Sequence, residues 1–176
     1  MAARPSRRRF LALAGGGLLV AGSAVAIVRT RGYELAADRM AKLKALAPWQ
    51  AVVFDAVARR VAAADVPEEV PSTDEVGVTD FVDGYIAGMH PALRRDCLRL
   101  VGFVEHIAPI LAKKASRFTK LSPSDQDKVL AKLESHDQGM LRGAFAGLKS
   151  LVFMGYYRDP RTWKIIGYTG PMVAAP

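Results

Sequence analysis

The fold class of this chain is indicated most directly by PALRRDCLRLVGFVEHI, residues 91–107. The apolar residues of this stretch recur at three- and four-residue steps: Leu93, Cys97, Leu100, Val101, Val104 and Ile107. That spacing places them on one face of a helix with about 3.6 residues per turn. Pro91 suits the first turn, where no amide donor is needed, whereas Pro109 should end or kink the helix. The stretch therefore predicts an amphipathic helix.

Helical spacing also dominates the chain on both sides of this stretch, and strand patterns are scarce. Further helices are predicted over residues 33–46, from Pro48 to near Asp65, from a Ser72/Glu75 capping box to Gly88, from Ser122-Pro123 onward, over residues 140–154, and briefly after Asp159-Pro160. Together they predict an all-α, compact single domain of about five to seven helices behind an N-terminal signal or anchor helix.

Two details of the last long helix are predicted from its glycines. Gly143 and Gly147 lie four residues apart, a spacing that suits close packing against another helix. Gly155 follows the last periodic residue and is expected to cap the helix, because glycine readily adopts the left-handed conformation found there.

The basic charge of the chain is concentrated at its N-terminus. The 176 residues include 25 Lys and Arg against 17 Asp and Glu, a net charge of +8. Residues 1–31 contain six of those arginines and no acid, so residues 32–176 carry only about +2. Taken alone, +8 would suggest nucleic acid or an anionic membrane as a partner. The near balance after residue 31 argues against nucleic-acid binding.

The N-terminal residues are similar to a twin-arginine export signal, whose pattern is S/T-R-R-x-F-L-K. The matching residues are Ser6, Arg7, Arg8, Phe10 and Leu11, and Ala12 replaces the final lysine. Such signals are addresses read by a receptor, here the twin-arginine translocase. The expected location is the periplasm or the periplasmic face of the cytoplasmic membrane.

Residues 10–28 follow the arginines as an uncharged, glycine-rich run. The run is long enough to span a bilayer, so an uncleaved anchor with membrane contact through these residues is one alternative. An ordinary secretory signal is another, because Ala24-Val25-Ala26 offers a small-residue cleavage pattern. We therefore divide the chain into a signal segment, 1–31, and a helical domain, 32–176.

Residue patterns typical of catalytic and metal sites are missing. The single cysteine, Cys97, excludes an internal disulfide and multi-cysteine metal or haem sites, and its apolar helix face indicates a buried small hydrophobe. Glu105 and His106 are adjacent, and adjacent helical residues do not share a face. Asp80 and Asp83 lie three apart and are interpreted as a solvated face. An enzyme using these four residues is the least favoured of the alternatives.

The most distinctive stretch is GYYRDPRTWKIIGYTGP, residues 155–171, which we call the aromatic segment. Tyrosine, tryptophan and arginine are enriched in interface hot spots, and the glycines and prolines set turns between them. We predict a partner interface, although composition equally supports a lid over the domain's own core. The interface residues are Tyr156, Tyr157, Arg158, Asp159, Pro160, Trp163, Gly167, Tyr168, Gly170 and Pro171.

The pattern G-Y-Y-x-D-P-x-x-W-x-x-x-G-Y-x-G-P resembles the C-terminal signature of the gluconate 2-dehydrogenase subunit 3 family. VGVTDFVD (residues 76–83), FTKLSP (118–123) and LKSL (148–151) are similar to further family segments, so the resemblance covers residues 45–171. The chain departs from the family at residues 60–65, where members often carry an isoleucine-isoleucine-proline-acidic turn.

The resemblance implies a non-catalytic small accessory subunit of an envelope flavin-dependent sugar or alcohol dehydrogenase. Its implied role is to aid assembly, stability and twin-arginine export of the folded catalytic subunit. No catalytic, cofactor or metal site is expected in this chain, and FAD is expected in the partner. The implied partners are a large flavoprotein dehydrogenase subunit and a cytochrome c subunit. The alternative is a free-standing, membrane-tethered helical binding protein.

Overall fold

The computed structural model describes residues 32–62 and 69–171. Two compact units divide the chain, Met1–Glu34 and Leu35–Pro176, and every described helix belongs to the second. The described residues contain helices and no strand, so the all-α prediction is confirmed. The helices are α1 (Ala37–Met40), α2 (Pro48–Ala62), α3 (Thr73–Val76), α4 (Val78–Gly88), α5 (Pro91–His106), α6 (Ala108–Leu111), the 3₁₀ helix Phe118–Lys120, α7 (Pro123–Glu134), α8 (Gly139–Tyr156) and the 3₁₀ helix Pro160–Ile166.

Helix α2 lies at the centre of the domain and packs against α4, α5 and α8. Its apolar stripe includes Val53 and Phe54, both 0% exposed, and Val57. The surrounding helices bury their own apolar stripes against it, which is how an amphipathic helix gains most of its stability. The main residues of this core from the other helices are Val82, Ile86, Val101, Val104, Val129, Leu133, Leu148 and Val152.

The helix predicted over residues 33–46 is wrong for most of its length, because only Ala37–Met40 is α-helical. The cause is Asp83, whose carboxylate accepts backbone N–H groups from Lys44, Ala45 and Leu46 at 2.7–2.9 Å. Those amides are thereby bound to a distant side chain instead of to carbonyls one turn earlier.

Asp80 and Asp83 have different environments, although they lie one turn apart on α4. Asp83 is only 3% exposed, so its interpretation as part of a solvated face is wrong. The Asp80 side chain is 58% exposed and accepts from Arg39 at 3.0 Å, so it is the solvated member of the pair. Arg39 also donates two hydrogen bonds to the carboxylate of buried Asp55, at 2.8 and 2.9 Å.

The predicted capping box is confirmed in both directions. The Glu75 amide donates to Ser72 Oγ at 3.2 Å, and the Ser72 amide donates to Glu75 Oε2 at 2.6 Å. The capped helix is short, however, because Gly77 adopts φ +70° and redirects the chain into α4. Glycine suits this position since a Cβ would make the left-handed conformation strained.

Prolines begin and interrupt helices where the sequence predicts. Pro91 and Pro123 occupy first turns, and the preceding His90 and Ser122 accept backbone N–H groups as N-caps. Helix α5 ends at His106, and Pro109 lies inside the separate short helix α6. Helix α5 therefore ends just before the proline, because Pro109 has no amide with which to continue the hydrogen bonds of that helix.

Candidate docking surface

The aromatic segment begins inside helix α8. The helix continues to Tyr156, and Tyr157 is its C-terminal flanking residue, so the prediction that Gly155 caps the helix is wrong. Gly155 instead allows α8 to approach α4 closely. A Cβ at this position would lie 3.0 Å from Cγ1 of Val78 and 3.3 Å from the ring of Phe81.

The inner side of the segment is bound to its own domain. Tyr156 is 0% exposed, and its hydroxyl donates to the carbonyl oxygen of Pro71 at 2.9 Å. Thr162 is also 0% exposed, with Oγ1 lying 2.8 Å from the carbonyl oxygen of Asp159 and 3.2 Å from that of Tyr156. Burial raises the pKa of Tyr156, because the charged phenolate would lose its hydration.

Arg158 connects the segment to the junction between α3 and α4. Its guanidinium lies over the Phe81 ring, 4.9 Å from the centroid, and Nη2 donates to the carbonyl oxygen of Val76 at 3.0 Å. The first contact is a cation–π interaction, and the second satisfies a carbonyl at a helix end. Arg158 therefore holds the segment against the turn that Gly77 makes.

Asp159 caps the terminal 3₁₀ helix. Its carboxylate accepts the amide of Arg161 at 3.0 Å and pairs with the guanidinium of the same residue at 2.7 Å. These interactions favour the ionised form and hold the pKa of Asp159 at about 2. The capped helix, Pro160–Ile166, ends at Gly167, which adopts φ +64°.

The outer side of the segment exposes apolar and aromatic groups. Trp163 donates its indole N–H to the carbonyl oxygen of Tyr157 at 2.7 Å and packs edge-on against Tyr168, with centroids 4.9 Å apart. Ile165, Ile166 and Tyr168 are 36%, 54% and 46% exposed. We call these three residues the outer face. A backbone held by hydrogen bonds behind exposed apolar groups is suited to docking, because it has less conformational freedom to lose.

Comparison with known proteins identifies the group to which the chain belongs. The family model described as gluconate 2-dehydrogenase subunit 3 matches residues 49–170, more than half of the sequence. The chain belongs to the gluconate 2-dehydrogenase subunit 3 family. Searches of curated proteins and of solved structures found no match.

The family match confirms the resemblance drawn from the aromatic segment. It runs from Trp49, near the start of α2, to Gly170 near the end of that segment. The family takes its name from a subunit of gluconate 2-dehydrogenase, which is consistent with an accessory subunit of a dehydrogenase complex.

The residues predicted as an interface in this subunit 3 protein differ in exposure. Tyr156 is buried, whereas Tyr157, Asp159, Trp163 and Gly170 are half-buried. The solvent-exposed members are Arg158, Pro160, Gly167, Tyr168 and Pro171. In the structure, Tyr156 thus packs into the core of the domain, whereas the exposed members face solvent. The interface itself stays a prediction.

Ile165 and Ile166 are exposed apolar residues of the candidate surface that the sequence prediction did not include. Both lie on the outer face beside the aromatic residues of the segment. An adjacent isoleucine pair in a short capped helix was the signal that could have found them, because the two residues cannot both face a small core.

The predicted export-signal residues, Ser6, Arg7, Arg8, Phe10 and Leu11, lie outside the described residues, as does the run 10–28. The export signal and membrane contact therefore stay predictions. Within residues 32–62 and 69–171, none of the helices combines the length and apolarity needed to cross a membrane.

The residues considered for an enzyme have structural contacts. Glu105 is 0% exposed, accepts the Thr119 amide at 3.0 Å and hydroxyl at 2.7 Å, and lies 3.5 Å from Arg117. The ring of His106 lies 5.9 Å from that of Trp49. Across the described part of the chain, no group of three His, Cys, Asp or Glu residues is placed to hold a metal ion.

Proposed function

We propose that this protein is a non-catalytic accessory subunit of an envelope flavin-dependent sugar or alcohol dehydrogenase. The observation that carries the proposal is the family match over residues 49–170, which covers most of the helical domain and the aromatic segment up to Gly170. In this proposal FAD belongs to the large catalytic subunit, and a cytochrome c subunit accepts its electrons.

The docking role falls to the outer face. Ile165, Ile166 and Tyr168 expose apolar surface, while the contacts of Tyr156 and Arg158 hold the backbone behind them. Removal of such side chains from water favours association. Because the segment is already ordered, little of this favourable free energy is offset by the entropy cost of ordering it on binding. The inner side of the aromatic segment thus stabilises the domain, and its outer side contacts the dehydrogenase subunit.

We assign the export role to the signal segment, residues 1–31. Flavin is bound in the cytoplasm, so a loaded dehydrogenase has to cross the membrane folded, and the twin-arginine pathway moves folded proteins. One signal carrying Arg7 and Arg8 can serve both chains if the subunits assemble first. Assembly, stabilisation and export are therefore linked steps of one function.

The proposal is tested by coexpressing the full chain with the dehydrogenase subunit that accompanies it. The double variant Arg7→Lys, Arg8→Lys should leave dehydrogenase activity in the cytoplasm, because the receptor reads the arginine pair. The matched control Arg29→Lys, Arg31→Lys keeps the same charge outside the motif and should export normally. Unchanged export of the dehydrogenase by the first variant would contradict the escort role.

Affinity capture separates this function from the alternative of a free-standing binding protein. A tagged full chain should retain a flavin-containing subunit, visible by its absorbance and by mass spectrometry. A protein that is recovered from the membrane as a monomer without a flavoprotein would instead support the alternative.

A further inference from the structure

An open apolar groove separates helices α5 and α8, away from the aromatic segment. Its volume is about 340 Å³, and its walls include Leu93, Cys97 and Leu100 on α5 and Gly143, Gly147 and Leu151 on α8. Burial raises the pKa of the Cys97 thiol, so this residue contributes apolar surface to the wall. We call this feature the α5–α8 groove.

The α8 wall carries a regular apolar seam. Met140, Ala144, Gly147, Leu151 and Met154 follow one another at steps of four, three, four and three residues. Met140 is 78% exposed and Met154 is 40% exposed, so both ends of the seam face solvent. Alternating steps of three and four are typical of helices that pack side by side along their length. At 1.5 Å per residue, the seam is about 21 Å long.

The α5 wall carries the same spacing. Leu93, Cys97 and Leu100 are four and three residues apart, and Leu93 is 59% exposed. Two helices that present apolar seams to a common groove form a site for a third helix, whose side chains can enter between them.

Two of the glycines of α8, Gly143 and Gly147, have no close neighbour inside the domain. A Cβ added at Gly143 or Gly147 would meet nothing within 4 Å, so the predicted close packing is absent from the described part of this chain. Glycine in a helix interior costs about 1 kcal/mol relative to alanine. Here it deepens the groove and allows another backbone to approach α8.

We infer that the α5–α8 groove binds an apolar-faced α-helix of the dehydrogenase partner. This inference rests on the proposed function, because it assigns that partner a second contact. Among the described residues that line the groove, Asp96 alone carries a charge. Arg99 approaches the Asp96 carboxylate to 3.5 Å, but both side chains are mostly exposed, so Asp96 can also pair with a lysine or arginine on the edge of the incoming helix that faces α5.

The geometry favours a helix over other occupants. A small apolar ligand would fill the central cavity and leave the exposed ends of the seam, at Met140 and Met154, uncovered. A second copy of this chain would have to pair its groove with the same groove, since a two-fold interface uses one patch twice. Two concave surfaces do not fill one another.

The first test fills the groove. Gly147→Leu places a leucine in the gap, whereas Ala146→Leu adds the same side chain to the neighbouring exposed position outside the seam. In coexpression with the dehydrogenase, Gly147→Leu should weaken capture of that subunit by about tenfold or more. Ala146→Leu should capture it normally. Equal capture by both variants and the wild type overturns the groove inference alone.

The second test identifies the occupant and does not depend on the leucine variant's folding. A photo-activated benzoylphenylalanine at position 140, the exposed end of the seam, should cross-link, in the full complex, to a helix of the dehydrogenase subunit, and one at exposed Lys132 should not. Cross-links to lipid, to a small molecule or to a second copy of this chain overturn the inference. If the wild-type chain captures no dehydrogenase, the proposed function and this inference fail together.

Discussion

The hydroxyl of Tyr156 donates a hydrogen bond to the carbonyl oxygen of Pro71, a residue 85 positions earlier in the chain. The contact connects the end of α8 to the residue that precedes the capping box of α3. The start of the aromatic segment is therefore part of the domain core, whatever its outer face binds.

Tyr156→Phe should lower the free energy of unfolding by about 1 kcal/mol, because it leaves the Pro71 carbonyl without this donor. The folded state raises the pKa of Tyr156, so the stabilisation is complete below the unfolded tyrosine pKa of about 10 and is lost as pH rises through the folded value. Urea unfolding from pH 8 to 11 measures both effects. If the phenylalanine variant lost as much stability at alkaline pH as the wild type does, the pH dependence could not be assigned to Tyr156.

Asp159 should titrate at about pH 2, because Arg161 stabilises its carboxylate. Since the folded pKa is depressed, the stabilisation is present above the unfolded pKa of about 3.9 and is lost as pH falls through the folded value. Carboxyl-carbon NMR titration measures this pKa directly. Arg161→Gln should raise it, and an unchanged value would show that the ion pair is absent in solution.

The two kinds of glycine in α8 should respond oppositely to alanine. Gly155→Ala places a methyl group 3.0 Å from Val78 Cγ1 and should destabilise the domain by about 1–3 kcal/mol. Gly147→Ala has open space around the new methyl and should stabilise the helix by up to about 1 kcal/mol. Thermal unfolding of the two variants tests the pair. A stabilised Gly155→Ala variant would refute the close approach of α8 and α4.

Asp83→Ala should destabilise the domain by at least about 3 kcal/mol, because three backbone N–H groups lose a buried charged acceptor. Asp80→Ala, on the same helix but exposed, should cost less than about 1 kcal/mol. Denaturant midpoints of the two variants give the comparison. Equal losses would mean that Asp83 does not organise residues 44–46.

Ile166→Asp should weaken capture of the dehydrogenase subunit, because it places a charge on the outer face. Ile110→Asp is the matched control, since Ile110 is 64% exposed on α6 and lies outside the aromatic segment. Both variants should unfold at nearly the wild-type temperature, as expected for exposed positions. Equal capture by the two would indicate that the partner contacts another surface.

The sequence predicted most helices correctly, because their signals are local. The Ser72 and Glu75 capping box, Pro91 and Pro123 all act within one turn of a helix start. The helix predicted over residues 33–46 failed because Asp83, nearly forty positions away, binds its amides. A hydrogen bond between residues so far apart in the chain produces no periodic pattern in the sequence.

The aromatic segment shows the same division between local and distant information. Its residue pattern alone identified the family, which the match over residues 49–170 confirms. Which of its side chains face inward could not be read from composition, because Tyr156 and Tyr168 are the same residue type with opposite exposure. The backbone path around Gly167 and the contact with Pro71 decide that difference.

The sequence by itself determined the all-α class, the concentration of basic charge before residue 32 and the membership of the family. These follow from spacing, composition and a contiguous motif, which can be read along the chain without knowing which residues meet in space. Only the tertiary structure decided that Asp83 organises a loop, that Gly155 packs closely while Gly147 faces an open groove, and that Ile166 is exposed. Each depends on which helices meet in space, and identical residue types acquire different roles there because their neighbours differ.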